Sequence, residues 1–256
     1  MSSPYLGVVI PAYNEEQRIR PTLERVAEYF AAQPYTWQVT VVSDGSSDKT
    51  NAIVESFASE HPQFSLLAYH PNRGKGYAVR QGILASAGDM VLFSDADLAT
   101  PIEETEKLLA HMKEGADVAI GSRPLQESRL EKRQPLYREM LGRLFNKAVQ
   151  LLAIRGIADT QCGFKMFTRD AAQEVFRRCR LDGFSFDFEA LMIARDLGYR
   201  IDEIPIRWAH QEGSKVVLLR DGPRMLRDLV KLRLSGKRSR LIEREPQRDV
   251  GGVDGP

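Results

Sequence analysis

The sequence predicts an α/β fold, with a mainly parallel central sheet covered by helices on both faces. Three observations carry this. Through residue 120, short β-rich runs alternate with stretches of helical periodicity. The runs are apolar along their whole length rather than at every second residue, the pattern of strands buried on both faces. Polar loops lead from the ends of these runs into the helices, where open α/β sheets bind ligands.

The first run, LGVVI (6–10), ends at Pro11 and precedes a helical pattern near 17–32. WQVTVVS (37–43) leads to a helix near 48–59, FSLLAY (64–69) to one near 74–86, and MVLFS (90–94) to one near 101–113. DVAIGS (117–122) is the fifth strand. Thr100, Pro101 and Glu103 read as the N-cap, first helical residue and acid of a capping box. Residues 122–136, SRPLQESRLEKRQPL, are polar and basic and read as a mobile loop. A long helix is expected near 136–155, with Leu141, Leu144, Phe145, Ala148, Leu151 and Leu152 at helical spacing. A shorter α/β stretch covers 160–206. A helix near 221–234 sets Met225, Leu226, Leu229 and Val230 against Arg220, Arg224, Arg227 and Lys231. The expected organisation is one domain over 1–236, its halves meeting near residue 120, and a disordered tail over 237–256.

Composition narrows the function classes. The 256 residues are 43% hydrophobic and 28% charged, ordinary for a soluble globular protein. No apolar run approaches the roughly 18 residues of a membrane span, and no basic segment followed by a long apolar one opens the chain. Cys162 and Cys179 form no CxxC pair, and the four histidines have no zinc-ligand spacing. A cytoplasmic protein is expected. The net charge of +1 is uneven: residues 1–100 carry 7 Lys/Arg against 11 Asp/Glu, and residues 220–240 carry 8 against 2. The basic second half suits an anionic partner or simply solvated helix faces. No nucleic-acid partner is expected.

Four loops carry candidate chemistry. PAYNEE (11–16) offers backbone amides, the Tyr13 ring and the Glu15 carboxylate; alone it would pass for a β–α turn. In SDGSSD (43–48), Asp44 can accept hydrogen bonds from a base or ribose, or serve as a turn residue. In NRGKGYAVRQG (72–82), two glycines would let the backbone approach a phosphate and Lys75 would neutralise it; the GxxxxGK[ST] spacing of a Walker A loop is absent. SDADLAT (94–100) is the most informative. Asp95 and Asp97 would repel each other where a buried strand ends, and a hard cation such as Mg²⁺ or Mn²⁺ would resolve the repulsion. Such an ion takes one or two carboxylates, with water and diphosphate oxygens in its remaining positions. A solvated pair capping the next helix is the other reading, but four suitable loops on one sheet edge argue for a site.

In order and spacing, VVIPAYNEE, VVSDGSSDKT, NRGKGYAVRQG and DADLATP resemble the family 2 glycosyltransferases of the GT-A fold. IGSR (120–123), DTQCGFKMFTRDAA (159–172), FSFDFEAL (184–191) and IPIRWAHQEGSK (204–215) narrow the resemblance to the polyprenyl-phosphate branch. There the likeness is strongest to the dolichyl-phosphate β-glucosyltransferases, with the dolichol-phosphate mannose synthases next. It covers roughly residues 5–235. It implies that Pro11, Ala12, Tyr13 and Glu15 cradle the nucleotide, Asp44 reads the base, and Lys75 and Gly76 lie close by. It implies a metal pair, Asp95 and Asp97, flanking Ala96, with Asp97 nearest the ion. Gln161, Asp187 and Glu189 would line the sugar pocket, Arg123 and Arg138 would hold the acceptor phosphate, and Lys215 would reach a phosphate from its loop. Ser43 replaces the first Asp of the common DDGS form, and Ala99 stands where mannose synthases usually have Gln, which favours the glucosyl branch.

The implied reaction is metal-dependent, inverting transfer of a hexose, glucose from UDP-glucose, to a polyprenyl monophosphate. The acceptor is anionic near neutrality because the second pKa of a phosphate monoester is about 6, so it needs arginines to hold it rather than a base to activate it. A mannose synthase using GDP-mannose is one alternative. Another is a transferase acting on a hydroxyl, which requires a carboxylate base, and Asp187 or Glu189 would supply it. A non-catalytic nucleotide-sugar sensor is a third. The amphipathic helices suit a membrane surface or complete the core.

Overall fold

The computed structural model describes residues 3–125, 127–132, 154, 156–209 and 218–242. Arg138, Lys215, the helix expected near 136–155 and the last fourteen residues of the expected tail lie outside that set.

The first half follows the sequence element by element. Strands β1 (Leu6–Ala12), β2 (Trp37–Asp44), β3 (Phe64–Tyr69), β4 (Met90–Ser94) and β5 (Val118–Ser122) alternate with helices α1 (Ile19–Ala31), α2 (Thr50–Glu60), α3 (Lys75–Ala85) and α4 (Thr105–Lys113). Every residue of β1 is buried, as its unbroken apolar run requires. Successive side chains enter opposite layers. Val9, Val42 and Phe93 join Val79, Ile83 and Phe176 on one face, and Val8, Ile10, Val41 and Leu92 join Leu23, Phe30 and Leu108 on the other.

The second half continues with β6 (Arg129–Lys132), β7 (Phe164–Thr168), α5 (Arg169–Arg178), α6 (Phe186–Asp196), β8 (Ile201–Pro205), β9 (Arg207–Ala209) and α7 (Leu218–Ile242). The seven-stranded sheet has the order β3-β2-β1-β4-β7-β5-β8. All its pairings are parallel except those of β7, which runs antiparallel between β4 and β5. The chain builds outward from β1 through β2 to β3, then returns to the other side of β1 with β4. The reversal between β1 and β4 opens a crevice at their carboxyl ends.

Three expectations change. The capping box does not form: a 3-10 turn (Ile102–Glu104) precedes α4, and Glu103 pairs with Arg25 instead. Part of the expected loop, Arg129–Lys132, is a strand paired in parallel with β9. Helix α7 runs on to Ile242, so residues 237–242 of the expected tail are helical. Among the described residues no helix is long and apolar enough to cross a membrane.

Candidate active site

Asp95 and Asp97 stand at the carboxyl end of β4, beside the end of β1 and therefore in the crevice. The turn between them is tight. Leu98 takes a left-handed φ of 45°, its N–H donates to the Asp95 carbonyl at 3.2 Å, and the Ala99 N–H donates to Asp97 Oδ1 at 3.0 Å. The buried Ala96 gives the turn a fixed point, its carbonyl accepting from Thr22 Oγ1 of α1 at 2.7 Å.

Burial pushes the Asp97 carboxyl above its ordinary range, and the neighbouring charge of Asp95 adds to the push. Asp95 Oδ1 is buried without an aligned hydrogen bond, although Lys75 Nζ lies 2.6 Å away as an ion pair. Two crowded carboxylates at a strand end, with one lysine between them and the interior, fit a hard divalent cation. Among the described residues no group of three or more His, Cys, Asp or Glu side chains gathers, so these two would be the protein's ligands there.

The loop after β1 is braced against the loop after β2. Asn14, at a left-handed φ of 49°, donates its N–H to Ser46 Oγ at 3.1 Å and accepts from the Ser47 N–H at 2.9 Å. The Glu15 N–H donates to Thr50 Oγ1 at 2.8 Å. Pro11 and Ala12 are buried at the strand end, and Tyr13 is 40% exposed at the mouth of the crevice. The Glu15 carboxylate pairs with Arg18, which the motif reading had left aside. Arg18 also feels Asp97 and Asp95, so it is a basic group of the site.

Asp44 departs from its expected task. Its oxygens accept from Tyr69 Oη at 3.0 Å, Asn72 Nδ2 at 2.8 Å, the Arg73 N–H at 2.7 Å and the Gly74 N–H at 2.8 Å. A carboxylate offers about four acceptor positions. Asp44 therefore holds the loop between β3 and α3 rather than presenting itself to a base. The glycines of that loop also differ from expectation. A side chain at Gly74 would meet the Asp182 carbonyl, and one at Gly76 the Leu181 and Gly183 carbonyls. Their lack of side chains admits the Leu181–Gly183 segment.

Asp187 and Glu189 sit two residues apart on α6, about 200° around the helix. Asp187, 4% exposed, accepts a hydrogen bond from Lys165 on β7. Burial raises its pKa, opposed by Lys165 and Lys75. Glu189 turns the other way and accepts from the N–H groups of Arg180 and Leu181 at 2.8–3.0 Å. It does not line a sugar pocket; it fixes the segment that packs on Gly74 and Gly76. Gln161 has a buried Nε2 with no hydrogen-bond partner among the described residues.

Arg123 is held on three sides. Asp159 takes its Nε at 2.6 Å and Nη2 at 2.8 Å, and the Trp208 ring lies 5.6 Å from its guanidinium carbon. Burial opposes ionisation of Asp159, but Arg123 outweighs it and keeps the carboxyl below its ordinary range. Glu203 on β8 accepts from the Ala158 and Asp159 N–H groups at 2.7–3.0 Å and fixes this turn. Among the described residues no hydrogen bond is made by its Nη1, so the clamp leaves that nitrogen as a preorganised donor. Strand β9, which carries Trp208, is tied to the acidic turn by the Ala209 N–H donating to the Ala99 carbonyl at 2.8 Å.

The structure therefore gathers Lys75, Asp95, Asp97 and Asp187. Motif reading missed Arg18, Asp159, Lys165, Glu203 and Gly163, whose carbonyl accepts from the Asp95 N–H at 3.0 Å. Three of these lie inside DTQCGFK, the same stretch that supplied Gln161.

Comparison with known proteins shows the family and the fold. The family Glycosyl transferase family 2 matches residues 7–176. The dolichyl-phosphate beta-glucosyltransferase ALG5A of Trichomonas vaginalis is 38% identical over 242 residues, covering 90% of this chain and 73% of its own. The dolichyl-phosphate beta-glucosyltransferase of Drosophila melanogaster is 38% identical over 237 residues, covering 88% of this chain and 73% of its own. Among solved structures, glucosyl-3-phosphoglycerate synthase from Mycobacterium tuberculosis, in complex with Mn²⁺, UDP-glucose and glycerol 3-phosphate, matches with a TM-score of 0.66 at 19% identity, over 91% of this chain and 79% of that one. At that identity the likeness is one of fold, the GT-A fold.

Proposed function

The chain belongs to glycosyltransferase family 2 and is a glycosyltransferase; from that premise we propose that it transfers glucose from UDP-glucose to a dolichyl-type polyprenyl monophosphate, inverting the anomeric carbon. The observation that carries the choice of acceptor is the commitment of both candidate bases. Asp187 is bound to Lys165, and Glu189 to two backbone N–H groups. A hydroxyl acceptor needs a free carboxylate near the reacting carbon, whereas a phosphate monoester arrives already anionic. The dolichyl-phosphate relatives support the same reading.

On this reading the nucleotide lies across the ends of β1 and β4, over the Tyr13 loop. Asp95 and Asp97 would hold a divalent cation, Mg²⁺ or Mn²⁺, which supplies Lewis-acid stabilisation of the departing diphosphate. Arg18 and Lys75 add positive charge beside the same position. Arg123, clamped by Asp159, offers its free Nη1 hydrogens to the acceptor phosphate. Gln161 Nε2 faces the sugar.

The protein then works from the cytoplasmic side, at the surface of the membrane that holds its acceptor. Helix α7 supports the membrane-surface part of this reading. Met225 and Leu229 are buried in the core, while Leu226, Val230 and Leu234 form a second, exposed stripe at i, i+4, i+8. Exposed Arg224, Arg227, Lys231 and Arg233 flank it, which suits an anionic lipid surface.

The test is nucleotide release by the purified protein with Mn²⁺ or Mg²⁺, offered UDP-glucose or GDP-mannose, with and without a short polyprenyl phosphate. UDP release that needs the lipid phosphate and is lost in Asp97→Ala is the expected result. Release indifferent to the lipid phosphate overturns the acceptor, and release from GDP-mannose alone overturns the donor.

A further inference from the structure

Lys165, the second residue of β7, is 1% exposed. A buried ammonium is costly unless paired, and nothing in the transfer reaction above uses this one. Its Nζ donates to Asp187 Oδ1 and to the Cys162 carbonyl. Asp187 in turn feels Lys75, and Lys75 lies 2.6 Å from Asp95 Oδ1. Both ammonium groups stand at the ring of Phe93, 5.3 Å (Lys75) and 5.8 Å (Lys165) from its centroid. One row of alternating charge therefore runs inward from the crevice: Asp97 with Asp95, then Lys75, then Asp187, then Lys165. Lys75 feels Asp95, Asp187 and Asp97 and contacts Asp95. Asp187 has two lysines within reach and contacts the buried one.

We propose that Lys75 is an internal counter-ion for Asp95 in the cation-free protein, and that Lys165 is the positioning residue that keeps it there. By neutralising Asp187, Lys165 removes the competing attraction on Lys75, which then rests on Asp95. When a divalent cation and a diphosphate enter, Lys75 gives up Asp95 and meets the diphosphate, and Asp187 remains beneath it as the second carboxylate. The row thus balances the acidic pair when the site is empty and returns a positive charge to the diphosphate when it fills. This deepens the reading of Asp95 and Asp97 as the cation pair and rests on it.

The experiment measures binding of Mn²⁺ alone to the donor-free full chain, by calorimetry or by the electron paramagnetic resonance of free Mn²⁺, with thermal unfolding recorded in parallel. Lys165→Met frees Asp187 to draw Lys75 away, and Mn²⁺ binding tightens about five- to tenfold, the scale of one close charge interaction. Asp187→Asn leaves Lys75 only the acidic pair, with Asp95 in contact, and Mn²⁺ binding weakens by about the same factor. In a Lys75→Gln background, Lys165→Met adds nothing further. A purely structural lysine would move the unfolding temperature without these opposite changes. Equal affinities, or shifts in the same direction, overturn the proposal. If Lys165→Met does not fold, the near-isosteric Asp187→Asn decides: binding that weakens clearly more in the native background than in Lys75→Gln supports the proposal, and equal weakening in both, or none, overturns it. Mn²⁺ binding that Asp97→Asn leaves untouched overturns instead the cation site itself, and the inference with it.

Discussion

Gly163 and Asp95 share one space. The Asp95 N–H donates to the Gly163 carbonyl at 3.0 Å, and the Asp95 carboxylate fills the volume that a side chain at 163 would take. The antiparallel partner of β4 thus sets the position of the first acidic residue, because Ser94 pairs with Phe164. Gly163→Ala forces that carboxylate to move, and overpacking of this kind costs about 1–3 kcal/mol. The expected outcome is a folded protein with turnover reduced at least about 100-fold, since misplacement of a catalytic group by about 1 Å has that effect. Steady-state kinetics and Mn²⁺ titration check it; near-native turnover would show that Asp95 has room elsewhere.

The Arg123–Asp159 pair predicts a pH dependence. Asp159 has a folded-state pKa below its unfolded value of about 3.9. Its stabilisation is therefore complete above about pH 5 and is lost as pH falls through the folded pKa. Asp159→Asn should cost about 2 kcal/mol at pH 7, about 6 °C in Tm for a chain of this size. The gap from the native protein should narrow as pH falls below the unfolded value of about 3.9 and through the lower folded pKa. A gap independent of pH would assign the loss to packing rather than charge. The acceptor KM should rise with the substitution while the donor KM holds.

Helix α7 predicts lipid binding. The native chain should co-float with vesicles of phosphatidylcholine and phosphatidylglycerol, less so in high salt, and poorly with phosphatidylcholine alone. Leu226 and Leu234 are exposed, 45% and 63%, so Leu226→Glu with Leu234→Glu should leave Tm within about 1 °C and abolish flotation. Transfer to a short, soluble polyprenyl phosphate should persist in that variant. Unchanged flotation would clear α7 of the role.

Burial of both cysteines gives a chemical test of the fold. Desolvation raises the Cys162 thiol to about 12 and carries Cys179 well above its ordinary value. Neither should react with a thiol reagent at pH 8 until denaturant is added. Rapid labelling of either in the native protein would contradict the packing of the β7 region.

The five strands of the first half, the loops between them and the crevice-edge carboxylates Asp95 and Asp97 were legible in the chain itself. Unbroken apolar runs announce strands covered on both faces, and acidic or glycine-rich ends announce loops. These are local patterns, each complete within about ten residues, and the sheet used them nearly as written. The second half was less legible because its order depends on partners far away in sequence. Nothing in FKMFT declares that it runs antiparallel between β4 and β5.

The side-chain assignments divide in the same way. Sequence alone determined that Asp95 and Asp97 would meet at a strand end, since two residues on one turn cannot be far apart. Only the tertiary structure decided that Asp44 spends its carboxylate on the neighbouring loop, that Glu189 faces away from Asp187, and that Lys165 lies beneath it. A residue's type fixes which bonds it can make. Which of them it makes depends on the groups that folding brings within about 3 Å, and those lie 8 to 30 residues away in the chain.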